Sequence, residues 1–141
     1  MIRGFTCSSF DLLHAGHVAM LREAKNVCDH LTVGLLSDPT ISRPDTKNSP
    51  VQSMFERYVQ LRAIKYVDEI IPFQTEDEIE DILKMYNFDI RIVGEEYEHL
   101  EFTGRDLCIN HFNSRRHSFS SQQLRERVVD NQPEKQTCLD I

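Results

Sequence analysis

Leu31–Leu36 reads LTVGLL, apolar at nearly every position, without the in–out alternation of a strand that has one wet face. A strand of that kind is covered on both sides, which in a small protein means a parallel sheet with helices above and below. The rest of the chain agrees. Ile2–Cys7, Glu69–Phe73 (EIIPF) and Ile90–Val93 are further short apolar runs, and Ile109–Phe112 suits an edge strand. Between them, Val18, Leu21, Ala24, Val27 and Cys28 recur at helical spacing, as do Met54, Tyr58, Leu61 and Ile64 across Ser53–Tyr66. Thr75, with Glu78 three residues on, predicts a capping box that opens a helix running to Tyr86. Asp106–Cys108 suits a short helical turn, and Ser120 or Ser121 caps a last helix through Val129. Strand–helix alternation of this order predicts an α/β fold: a Rossmann-like three-layer α/β/α sandwich on a mostly parallel five-stranded sheet, joined by right-handed crossovers.

A chain of 141 residues suits one domain, expected over 1–129, with 130–141 a polar, flexible tail. A net charge of −7 argues against a partner gripped through nucleic-acid phosphates. Cys7, Cys28, Cys108 and Cys138 show no metal-binding or redox spacing, so free thiols are expected and no disulfide framework. No signal peptide and no bilayer-length apolar run is visible, so no membrane insertion and a cytoplasmic location are expected.

Chemistry concentrates in SSFDLLHAGH, Ser8–His17, where the first apolar run passes into the first helical segment. Unpaired backbone N–H groups at a helix start carry partial positive charge and attract phosphate. His14 and His17 add two donors there, with Gly16 between them. The plain alternative is that both imidazoles only cap the helix. Metal binding is the other rival, but no further ligand stands at a zinc-like spacing, and no metal ligand is assigned. Ligands of doubly wound sheets collect beyond the carboxyl ends of the strands, where this run, Gly94 and the loop before Ser120 all fall.

The run FDLLHAGH, with LRAIKYVDEIIP (Leu61–Pro72), VGEEYE (Val93–Glu98) and RRHSFSSQQLRERV (Arg115–Val128), resembles the cytidylyltransferase branch of the HxGH nucleotidyltransferases. Glycerol-3-phosphate cytidylyltransferases and their choline- and ethanolamine-phosphate relatives are the most similar in pattern. The resemblance implies that CTP and a small phosphomonoester react with Mg²⁺, giving a CDP-alcohol and pyrophosphate, in a homodimer. It implies that His14 and His17 donate to the phosphates, that Gly16 lets the backbone approach them, and that Ser9 and Phe10 line the nucleotide, with Asp11 bracing the turn. Arg115, Ser120 and Ser121 match the late signature around the triphosphate. Lys47 stands in the loop where relatives place phosphate-clamping lysines, Lys65 where they carry a CTP-contacting arginine, and Glu96 and Tyr97 near the base. The plain readings stand beside these: N-capping for the serines, solvated charge for Arg115 and Lys47, ordinary loop for Glu96 and Tyr97, and pairing of Arg57 with Glu56 or Asp68.

Departures from the family pattern bear on the substrate. Ser8 and Ser9 replace the usual glycine–threonine, and Ser118 and Gln122 interrupt the late signature. Lys65 loses a bidentate fork. Thr75–Asp81 (TEDEIED) is acidic where the glycerol-phosphate type is basic, with Arg43 the nearest spare cation to Lys47. Two alternatives follow. HAGHV and Ser49–Gln52 (SPVQ) resemble the heptose-phosphate adenylyltransferases, which implies ATP and a sugar phosphate. The changes at Ser8 and Lys65 would equally suit a non-catalytic CTP-binding module.

Overall fold

The computed structural model describes residues 1–132. Its strands are β1 (Arg3–Ser8), β2 (His30–Leu36), β3 (Glu69–Phe73), β4 (Ile90–Gly94) and β5 (Ile109–Asn113), and its helices α1 (Ala15–Asn26), α2 (Met54–Arg62), α3 (Asp77–Tyr86) and α4 (Ser121–Asp130). The expected 130–141 tail lies outside the described residues beyond Gln132, as does Cys138; Cys7, Cys28 and Cys108 are free thiols.

All four strand pairings are parallel, in the order β3-β2-β1-β4-β5. This is the expected Rossmann-like architecture. Strand order reverses between β1 and β4, so their carboxyl ends open the crevice in which such folds bind ligands. Alternation along β2 builds both sides of the interior. Leu31, Val33 and Leu35 join Leu21 and Ala24 of α1, Leu61 of α2 and Ile92 of β4 in one buried cluster. Phe5 and Phe73 pack with Ile79, Ile82 and Leu83 of α3, and with Phe88, in the second. Helices therefore cover both faces. No helix among the described residues is long and apolar enough to cross a membrane.

Three local expectations need correction. The second helix ends at Arg62, four residues short of Tyr66, because the chain must turn to enter β3. Asp68 holds that turn by accepting from the Leu31 N–H and pairing with Lys25. Thr75 makes no capping box. Helix α3 has Glu76 at its N-cap without a side-chain bond, and the Glu78 carboxylate reaches back to the Gln74 N–H at 2.8 Å. Arg57 pairs with neither Glu56 nor Asp68: it is 2% exposed, and its guanidinium donates to the carbonyls of Ser9, Leu36, Ser37 and Gln52.

Candidate active site

The turn from β1 into α1 is built under strain. Phe10 and Leu12 both take left-handed backbone conformations, with φ of 49° and 52°, which costs a non-glycine residue about 1–2 kcal/mol. Tertiary bonds hold the turn there. The buried Asp11 carboxylate accepts from the Val51 and Gln52 N–H groups, both at 2.9 Å. Gln52 Oε1 accepts from the Leu12 N–H at 2.8 Å, and Arg57 donates to the Ser9 carbonyl at 2.9 Å. Segments 40 residues apart thus fix where α1 begins.

At that start the imidazoles cap the helix reciprocally. His14 Nδ1 accepts from the Gly16 N–H at 3.0 Å, and His17 Nδ1 accepts from the His14 N–H at 3.2 Å. An Nδ1 that accepts carries no proton, so each neutral ring holds its proton on Nε2. Burial, reinforced by His14, pushes the His17 ring down to about 4; burial, then His117, also lowers His14. Both rings are therefore neutral Nε2–H donors near pH 7. Their centroids stand 3.9 Å apart. Capping and phosphate donation are compatible, because they use different nitrogens.

Gly16 is required by packing. A Cβ there would fall 2.8 Å from Cε1 of both His14 and His117. His117 carries no motif spacing that marks it in the sequence. It lines the same cleft, and its Nδ1 accepts from the Phe119 N–H at 3.2 Å.

The second helix start faces the first. Ser120 caps α4 by accepting from the Gln123 N–H at 3.1 Å, and Ser121 Oγ donates to the Asp11 carbonyl at 3.2 Å. Arg125 adds an ion pair to Asp11, also at 3.1 Å. The start of α4 is thereby tied to the histidine turn. Arg115 reaches the cleft but leans on carboxylates: its N–H donates to Glu95, and its guanidinium stands 3.4 Å from Glu96.

One cleft of about 450 Å³ gathers Ser9, His14, Gly16, His17, Lys47, Glu96, Tyr97, Arg115, Ser120 and Ser121. Two expected site residues fall outside it. Phe10 is 1% exposed and belongs to the first core cluster, where its ring lies 5.5 Å from that of His17. Its side chain packs behind the imidazole. Lys65 precedes β3, at the amino end of the sheet, opposite the cleft, and its ammonium lies over Tyr66 at 5.3 Å. Arg43 is not spare: it pairs with Glu76 at 2.6 Å across the rim.

A strand–turn–helix with two neutral imidazole donors, facing a serine-capped helix start beyond a switch point, concentrates hydrogen-bond donors suited to an anionic ligand in one cleft. Comparison with known proteins identifies the family. Residues 5–127 match the cytidylyltransferase-like family, and the chain belongs to it. Over 104 residues it is 38% identical to the bifunctional protein HldE of Paramagnetospirillum magneticum, and over 108 residues 34% identical to that of Caulobacter vibrioides. These alignments cover 74% and 77% of this chain but only 21% and 22% of those proteins, so the chain spans about a fifth of their length. The crystal structure of a lipopolysaccharide core biosynthesis protein from Thermoplasma volcanium shares the fold, with a TM-score of 0.59 and 24% identity over 92% of this chain and 88% of that one.

Proposed function

We propose that the protein transfers CMP from CTP to a small phosphomonoester, glycerol 3-phosphate or a similar alcohol phosphate, releasing pyrophosphate. The observation that carries this reading is the pair of Nε2–H donors at the start of α1, set across one cleft from Arg115 and Ser120. An acceptor phosphate oxygen attacks the α-phosphorus, and the bond to the bridging oxygen breaks. The charge that develops on the departing pyrophosphate is what His14 and His17 stabilise. The acceptor is already an anion, so positioning and preorganised donors do the work and no general base is needed.

Magnesium belongs to this reading as part of the nucleotide. Among the described residues no three His, Cys, Asp or Glu side chains converge, and the cleft carboxylates Glu76 and Glu96 each face an arginine. That donor set suits an ion that would be carried by the nucleotide's phosphate oxygens and water, without a dedicated protein cage. A homodimer belongs to it too. Phe55, Tyr58 and Val59 form an exposed apolar face on α2 that a second copy would cover. Light scattering should return twice the chain mass at micromolar concentration, and a monomer there would refute the dimer.

The likeness of HAGHV and Ser49–Gln52 to the heptose-phosphate adenylyltransferases favours a second reading, ATP with a sugar phosphate. The heptose-like run Ser49–Gln52 holds the histidine turn through Val51 and Gln52, beside the nucleotide site. Thermal shifts with Mg²⁺ separate the two, with CTP expected to raise the melting temperature more than ATP. Stabilisation by ATP alone would overturn the cytidylyl reading. Pyrophosphate release with glycerol 3-phosphate and a panel of sugar phosphates is expected, and nucleotide binding without release would leave only a binding module.

A further inference from the structure

Arg91 is the second residue of β4, among Ile90, Ile92 and Val93, and is 6% exposed. A guanidinium carries five N–H donors and a charge that is costly to bury alone. The chain shows how it satisfies such a group elsewhere. Arg57 reaches four backbone carbonyls, and Arg105 reaches those of Tyr97, Glu98 and Leu100. Arg91 donates to one carbonyl, that of Thr103, and lies over the Phe102 ring at 5.0 Å. Among the described residues no carboxylate comes within ion-pair distance of it. The Cys7 thiol beside it is no counter-charge, because burial pushes that thiol up.

The spare donors have somewhere to point. Arg91 lines the cleft with Cys7, Phe102 and Thr103, and none of its nitrogens is among the sealed polar atoms that lack a partner. Ile92, the next residue, packs with α1 in the first core cluster. Strand alternation therefore sends Arg91 to the opposite face, toward Leu83 of α3, away from the helix that carries the imidazoles. Gly104 confirms that side: a Cβ there would meet both Leu83 and Arg91.

We propose that Arg91 forms an oxyanion subsite for the acceptor, on the α3 side of the cleft, through its guanidinium fork. The inference rests on the reading of the cleft as a nucleotidyl-transfer site. The oxyanion is either the attacking phosphate or a carboxylate or second phosphate on the same molecule, and both suit a planar fork.

Arg91→Gln keeps a donor for the Thr103 carbonyl and removes the charge. At saturating nucleotide, the acceptor KM should rise about 10–100-fold, with the nucleotide KM nearly unmoved. Equal losses for ethyl phosphate and phosphoglycolate assign the subsite to the attacking phosphate. A loss confined to phosphoglycolate assigns it to a second oxyanion. An acceptor KM within twofold of wild type, or a nucleotide KM that rises as much, overturns the proposal. A second measurement needs no turnover: inorganic phosphate should stabilise the wild type and His17→Asn against heat, but not Arg91→Gln. Loss in Arg91→Gln supports the subsite even if no acceptor is ever turned over. Equal stabilisation of the wild type and Arg91→Gln overturns it. If Arg91→Gln does not fold, Arg91→Met, which keeps the apolar stem and removes the charge, takes its place, and a wild type that phosphate fails to stabilise overturns the proposal directly.

Discussion

His17→Asn should lower turnover by about 10²–10³ while leaving the fold standing, the loss typical of one preorganised donor to a developing oxyanion. The two ring nitrogens of His17 have separate tasks. Nδ1 accepts from the His14 N–H and closes the cap of α1. Nε2 carries the proton that faces the cleft. An asparagine amide overlays the δ position, so it keeps the cap and deletes the outer donor. A glutamine reaches toward the ε position, so His17→Gln should recover part of the rate while weakening the cap by about 1 kcal/mol. Circular dichroism and melting temperature read the first task, and single-turnover pyrophosphate release reads the second. Normal turnover in His17→Asn would remove the imidazole from the mechanism.

The same geometry fixes a pH dependence. The unfolded chain protonates a histidine near 6.5, whereas burial holds folded His17 to about 4. Below 6.5 the unfolded state therefore binds the proton first. The contribution of His17 to stability is whole above that pH and is lost as pH falls from about 6.5 toward 4. An NMR titration should show the Nε2–H tautomer unchanged from neutral pH down to about 5. A midpoint at 6.5 or higher would mean that the ring works as a cation.

Periodicity makes the layers readable in the sequence. A run such as LTVGLL fits few environments, and a helix start behind an apolar run has few meanings. The candidate site residues divide by how their partners are encoded. His14, Gly16 and His17 act on one another across three positions, so the signal is local. Phe10 belongs to the same run, yet it turns inward, because a left-handed turn set by Val51 and Gln52 decides its direction. Lys65 enters only through the resemblance, at the place of an arginine in relatives, and the end of the sheet that it occupies depends on where the crossover turns. Arg91 gave no signal at all: one charge in a short strand reads as an outward-facing position, and the loop that covers it arrives from Phe102–Gly104. His117 stayed hidden because its neighbour, Gly16, is about 100 residues away in sequence.

Arg57→Ala should be the most destabilising single change in the chain, at about 3–5 kcal/mol and roughly 10 °C in melting temperature. Its guanidinium lies in the interior and closes four carbonyls from three segments: Ser9 in the histidine turn, Leu36 and Ser37 at the end of β2, and Gln52 before α2. Each carbonyl, left in the interior without a donor, costs about 1–3 kcal/mol before relaxation. Arg57→Met tests the bonds apart from packing, since it keeps the apolar stem and strands the same four oxygens; it should fall close to alanine. Arg57→Lys keeps the charge and can reach one or two of the carbonyls, so it should lie between alanine and the wild type. Because Ser9 is one of the four, the lysine variant should bind nucleotide more weakly even where it is fully folded, as the strained turn ahead of His14 loses a restraint. Urea unfolding ranks the three variants. A loss below about 1 kcal/mol in Arg57→Ala would mean that the turn is held by Asp11 and Gln52 alone.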